Sequence, residues 1–296
     1  MARKKKTSKS GLRDAGSRIL HALAIVLRRR VVYGLLTILV LGATTMAAAR
    51  GVELLRMRVD QKLLDQCAFP TVDFADLPPQ LALLAQSEME DSLVSLLDGP
   101  WTDDRLCRSM AQRLEQLGWI AAVRQVRRYN DGRFVVNCRY RVPVAMVAQG
   151  GEYYLVDDEG VRLPGVYRAD ATWRLIEGVS TKPPEPGKHW EGGDIAAAMR
   201  LLGKLGAEPF GHQLAAIDVE NFKGRVNARS SHIVLRTHQV DGRIQWGSAP
   251  GTEIEENSMK QKLAILRENF LRTGRADAGH PFIDISTFPD RFTIPG

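Results

Sequence analysis

Nineteen consecutive uncharged residues, Val31 to Ala49 (VVYGLLTILVLGATTMAAA), constrain this chain more than any other feature. As a helix rising 1.5 Å per residue, they span roughly 28 Å, about one hydrocarbon core. Arg28, Arg29 and Arg30 stand directly before the run, and Arg50 directly after it. Arg50, Arg56 and Arg58 are accompanied by Glu53 and Asp60, so the basic excess lies on the N-terminal side. Basic flanks stay in the cytoplasm, which predicts a cytoplasmic N-terminus and export of residues 50–296. Two other readings compete. One is a cleavable signal peptide ending at Ala47-Ala48-Ala49, with an unusually long basic leader. The other is a buried helix of a soluble core.

The charge follows the same division. The formal net charge is +7. Residues 1–30 hold ten basic side chains against Asp14 alone, a net of +9. The other 266 residues carry 31 basic and 33 acidic side chains, a net of −2. A nucleic-acid-binding domain would carry its positive charge on the folded surface. The basic tail instead suits topology and anionic lipid. Leu12, Ile19, Leu23 and Val26 or Leu27 recur at helical spacing, which fits a helix on the inner membrane face or an extension of the span.

Beyond the span, residues 50–66 read as a helical stem. Residues 67–143 read as a small βααββ domain. Its expected elements are a short strand within Cys67–Phe74, a helix over Pro79–Leu97 and a helix from Thr102 or Asp103 to Leu117. Two strands joined at Asn130-Asp131-Gly132 complete it. Phe134, Val136 and Cys138 alternate with polar neighbours, the mark of a half-buried strand. Residues 144–296 read as a β-rich mixed domain with flanking helices. Its hairpin turns at Gly150-Gly151, Asp194 caps a helix over Ile195–Leu205, and Thr252-x-x-Glu255 resembles a capping box. Further strands are expected over Ala215–Asn221, His232–His238, Arg243–Trp246, Pro281–Ser286 and Arg291–Ile294. The fold class is therefore α+β behind one N-terminal transmembrane helix.

No pattern for catalysis or for a cofactor emerges. The six histidines form no HExxH arrangement, no cysteine pair has zinc spacing, and there is no GxSxG, Walker or GxGxxG motif. His232 and His238 share a strand face but lie roughly 20 Å apart, too far to chelate one ion. Asp157-Asp158-Glu159 lacks the alternating ligands of a calcium loop and reads as a hairpin tip. Three cysteines, Cys67, Cys107 and Cys138, permit at most one internal disulfide. A Cys107–Cys138 bond and two buried thiols are both compatible with the pattern.

One stretch is more specific than its parts. A helix ends in Leu117-Gly118-Trp119-Ile120, and a basic strand covers Val123–Arg128. Then come Arg141-Val142-Pro143-Val144-Ala145, Tyr154-Leu155-Val156-Asp157, Gly160 and Leu163-Pro164. This run resembles the FtsQ/DivIB family of bacterial division proteins. Gly165, the helix after Asp194, Ala216-Ile217-Asp218, Ile244–Gly247, Lys262-Leu263 and Ile283-Asp284-Ile285 follow in the family's order. Gly118 stands where the family often has Pro, Tyr140 where it has Glu, and the segment Gly247–Asn257 is longer than usual.

The resemblance implies a non-enzymatic, single-span scaffold at the division septum of the inner membrane, with a POTRA domain before the β domain. Such a scaffold links other single-span division proteins of the FtsB/DivIC and FtsL types and helps recruit septal peptidoglycan synthases. Partner contact is expected by strand addition near the C-terminal end, with Trp246, Phe282, Ile283, Ile285, Phe288 and Phe292 as apolar anchors. Closure of the domain core explains the same aromatics equally well. A weaker docking surface is the basic strand with Arg124, Arg127 and Arg128. Competing functions are a POTRA-bearing component of envelope secretion or assembly and an exported hydrolase.

Overall fold

The computed structural model describes residues 33–34, 36–59, 70–99, 103–239 and 242–287. Arg28, Arg29 and Arg30, Cys67, Phe288, Phe292 and the strand expected over residues 291–294 lie outside the described residues. Contacts divide the chain into two units, Met1–Ala68 and Phe69–Gly296.

The first unit is represented by helix α1, Leu36–Val59, 24 residues with an 18-residue window of mean hydropathy 1.5 that is 0% buried. It is long and apolar enough to cross a membrane. It continues without interruption past Arg50, so the expected span and the start of the stem are one element. Its threonine hydroxyls are satisfied within the helix. The hydroxyls of Thr37, Thr44 and Thr45 donate to carbonyls three residues back, at 2.8–2.9 Å. That arrangement removes the cost of a free hydroxyl in an apolar surround.

The second unit begins with the βααββ run. It comprises β1 (Thr71–Ala75), α2 (Pro79–Leu97), α3 (Leu106–Glu115), β2 (Ile120–Arg128) and β3 (Arg133–Tyr140). Strand β3 is central, pairing parallel to β1 and antiparallel to β2. Pro79 opens α2, where its missing N–H is an orphan anyway. Leu81, Ala85, Met89 and Leu93 then recur every four residues and are buried, as are Leu106, Met110 and Leu114 of α3. Both helices cover the inward face of β3, which carries Phe134, Val136 and Cys138. Helix α3 starts at Leu106 rather than at Thr102 or Asp103, because the Asp103 carboxylate accepts from the Arg105 N–H and turns the chain first. Cys107 and Cys138 are free thiols, and burial pushes the Cys138 thiol up to about 11.

The remaining strands form a seven-stranded mixed sheet. They are β4 (Ala145–Gln149), β5 (Glu152–Val156), β6 (Arg174–Glu177), β7 (Leu214–Asp218), β8 (Ile233–Thr237), β9 (Arg243–Gly247) and β10 (Phe282–Asp284), in the spatial order β10-β9-β8-β7-β6-β4-β5. Strand β6 was not foreseen from the sequence; it lies between β4 and β7 and parallel to both. Helices α4 (Gly193–Gly206) and α5 (Met259–Thr273) share one core with this sheet. Two expected caps are corrected. Asp194 lies inside the first turn of α4, where its carboxylate accepts from Ser180 N, Ser180 Oγ and Arg225 at 2.6–2.9 Å. The capping box of α5 is Ser258 with Gln261, not Thr252 with Glu255.

The two sheets meet at the β4–β5 hairpin. Ala145 and Val147 face the core of α4 and α5, whereas Met146 between them faces the core of α2 and α3. On β5, Tyr154 and Val156 face the first core and Leu155 the second. Period-two alternation thus buries this hairpin on both faces. Arg141, leading from β3 to β4, pairs with the buried Asp157 at 2.6 Å, and Arg139 pairs with Glu159 at 2.9 Å. Within the turn, Asp157 is therefore a buried ion-pair anchor, whereas Asp158 and Glu159 remain exposed as expected of a hairpin tip. Gly118 also belongs to the junction: a Cβ there would lie 2.9 Å from Gly187 N and 3.0 Å from Pro164. Only glycine permits that approach.

Leu155 is fully buried between the two layers. Leu155→Ala is expected to destabilise the second unit by about 3 kcal/mol. Calorimetry should show one shifted transition. Two separated transitions would mean that the sheets unfold independently.

Candidate functional site

Strand edges are the places where this fold leaves backbone groups available. On the seven-stranded sheet, the outer edge of β5 is closed by residues 161–167. Leu163 N donates to Leu155 O, and Tyr167 N donates to Tyr153 O, both at 2.8 Å. The opposite edge differs. Arg243 N donates to Pro281 O and Ile285 N donates to Gln245 O, so Pro281, Ile283 and Ile285 direct their backbone groups at β9. By alternation, Phe282 and Asp284 direct their N–H and C=O groups outward. Among the described residues, no segment pairs with that side of β10.

The side chains proposed as anchors occupy a different place. Trp246, Ile283 and Ile285 are 0% exposed and belong to the core beneath α4 and α5. They shape the edge from behind and present no surface to a partner. Phe282 is half-buried and is the apolar side chain of β10 that reaches solvent. Arg124, Arg127 and Arg128 are exposed on β2, an edge strand of the three-stranded sheet. A register shift between Val123 and Gln125 places Arg124 at a bulge, a feature that discourages edge pairing.

The end of β10 is braced by groups to which the sequence assigned no role, although Gly247 and Lys262 lie in stretches that carry the family resemblance. Asn257, fully buried, donates through Nδ2 to Ile285 O at 3.0 Å and Thr287 O at 2.8 Å, while its N–H donates to Ser286 O. Next to it, the Glu256 carboxylate accepts from Ser248 N at 3.0 Å, Ser248 Oγ at 2.8 Å and Lys262 Nζ at 2.8 Å. Lys262 is fully buried, and its ammonium lies 5.3 Å from the centre of the Trp246 ring. Gly247 completes the contact: with φ 93°, a Cβ there would meet Glu256 Oε2 at 2.4 Å and Ser286 at 2.8 Å. The Asn257 side-chain bonds span 28 and 30 residues, and those of Glu256 span six and eight without a helical or strand period, so no local motif announces them.

Burial would raise the Glu256 carboxyl, but hydrogen bonds from Lys262 and Ser248 outweigh it and hold the group below its usual value of 4.5. A lowered folded value adds stability above the unfolded value and loses it as pH falls through the folded one. Among the described residues, no group of three or more His, Cys, Asp or Glu side chains converges to hold a metal ion. His212 instead packs edge-on against Phe270, with ring centres 6.2 Å apart.

Glu256→Gln leaves the Lys262 charge buried without its counter-ion. The expected cost is about 3 kcal/mol at neutral pH, measured as a lower denaturant midpoint. The same variant should lose less stability than the parent between pH 5 and pH 3. Adding Lys262→Met should restore most of the midpoint, since an apolar replacement removes the stranded charge.

No protein-family model matches this chain, and no curated protein matches it with significance.

Proposed function

We propose that this chain is a non-enzymatic membrane scaffold of the FtsQ/DivIB type, which pairs a strand from a single-span division partner onto β10. One observation carries this reading: β5 has its outer edge closed, whereas among the described residues nothing pairs with the outward backbone groups of Phe282 and Asp284 on β10. A partner strand would satisfy those groups with ladder hydrogen bonds, and Phe282 would add apolar contact. The element order supports the same reading. A helix able to cross a membrane precedes a βααββ unit of POTRA-like order, and a larger sheet ends in the open strand.

In this reading α1 anchors the chain in the inner membrane with the Arg28–Arg30 side cytoplasmic, and residues 50–296 lie outside. The partner is of the FtsB/DivIC type, accompanied by an FtsL-type protein, and the assembly helps recruit septal peptidoglycan synthases at the division site. The scaffold performs no chemistry of its own. Buried Trp246, Ile283 and Ile285 fix the register of the edge, and the Asn257 and Glu256–Lys262 contacts hold its C-terminal end.

Phe282→Pro removes an outward N–H without removing a bond to β9. The variant should keep its thermal midpoint within a few degrees. It should bind the exported part of the FtsB/DivIC-type protein of the same organism roughly tenfold more weakly. A fluorescent fusion of the parent should form a mid-cell band before constriction. Unchanged binding by the proline variant, or a uniform envelope signal, would sink the proposal.

A further inference from the structure

The face of the seven-stranded sheet away from α4 and α5 holds a groove that the scaffold reading does not use. A cavity of about 290 Å³ lies over β6, β7 and β8 and is bordered by Trp173, Glu177, Arg236 and His238. Ala171, Ala215 and Ala216 line it with small apolar surface. A second cavity, of about 470 Å³, shares Trp173 and His238 and reaches His212 and Gln80. A third, of about 300 Å³, shares His212 and His238 and includes Arg275 with Asp277. The three adjoin along one shallow track.

The chemistry of this track narrows its ligand. Its charges balance. Arg236 pairs with Glu177 at 2.7 Å and Arg275 pairs with Asp277 at 2.7 Å, while Arg174, which donates to Gly211 O at 3.1 Å, is offset by the Asp170 carboxylate in the lining. A polyphosphate or nucleic-acid site needs surplus positive charge, and this track has none. What it offers is a half-buried indole beside planar polar groups that both donate and accept: guanidinium, carboxylate and two exposed imidazoles. An indole face takes the C–H side of a pyranose ring, while paired carboxylate and guanidinium groups match adjacent ring hydroxyls. The alanine-lined part suits a methyl group of small size, such as that of an acetamide.

We propose that the groove at Trp173 binds an N-acetylhexosamine chain, with one sugar ring against the indole and its hydroxyls on Glu177, Arg236 and His238. The site lies on a face of the sheet rather than at the β10 edge, so it stands or falls independently of strand pairing.

The test is saturation-transfer NMR on the full chain in detergent micelles, with chitotetraose as the probe and maltotetraose for comparison. Chitotetraose should receive saturation at its acetyl methyl and ring protons, with a dissociation constant of ~1 mM. Arg236→Ala and His238→Ala alter exposed side chains, and each should weaken binding about fivefold. Trp173→Phe should weaken it while preserving the thermal midpoint. Absence of transfer at about 10 mM chitotetraose, equal affinity in all three variants, or equal affinity for maltotetraose would overturn the proposal.

Discussion

The β4–β5 hairpin is the constraint on which the second unit depends, because over Ala145–Val147 and Tyr154–Val156 both of its faces are buried. One set of alternating side chains, Ala145, Val147, Tyr154 and Val156, completes the core under α4 and α5. The interleaved set, Met146 and Leu155, completes the core under α2 and α3. A slip of one residue would exchange the two sets, so both cores enforce the same register. The Arg141–Asp157 pair adds a directional tie at the entrance to the hairpin. The small sheet and the large one are consequently held in one compact unit rather than strung along a linker.

Away from this junction, the fold spends polar groups on fixing a strand end. Burying an ammonium is unfavourable unless a counter-ion and further bonds meet it. Lys262 has Glu256 and the face of Trp246, and Glu256 is in turn held by two donors from Ser248. The arrangement is not free of cost, since the Trp246 indole N–H and Asn257 Oδ1 are buried without a hydrogen-bond partner. The outcome is a defined position for residues 285–287, where the edge strand would otherwise fray.

Much of this architecture was legible in local patterns. The four-residue recurrence from Leu81 to Leu93 marked α2, and the alternation through Phe134, Val136 and Cys138 marked β3 and its inward face. The turns at Asn130–Gly132 and Gly150-Gly151 joined the expected strands. What escaped notice was either too short or too distant in sequence. Arg174–Glu177 is a four-residue strand between two parallel neighbours, and so short a run shows no decisive period. Thr252-x-x-Glu255 matched the capping formula, but the backbone turns into helix only after Ser258. The aromatic and aliphatic anchors posed a harder question. Composition alone does not distinguish a side chain that closes a core from one that meets a partner, and Trp246, Ile283 and Ile285 proved to be the former. The brace through Asn257 joins residues 28 and 30 positions apart and left no trace in spacing.

The closed edge at β5 has a consequence for assembly. A sheet that exposes both of its margins can propagate head to tail, since each added copy presents a fresh margin to the next. Among the described residues, 161–167 cap one margin and nothing pairs with the other, so pairing through this sheet would end after a single event. Whatever strand takes the other margin acts as a terminator: two copies of the chain could close on each other there, or one foreign strand could, but not both at once. Under the proposed strand pairing, occupancy of β10 by a partner would therefore exclude self-association there, and the balance would follow concentration and relative affinity.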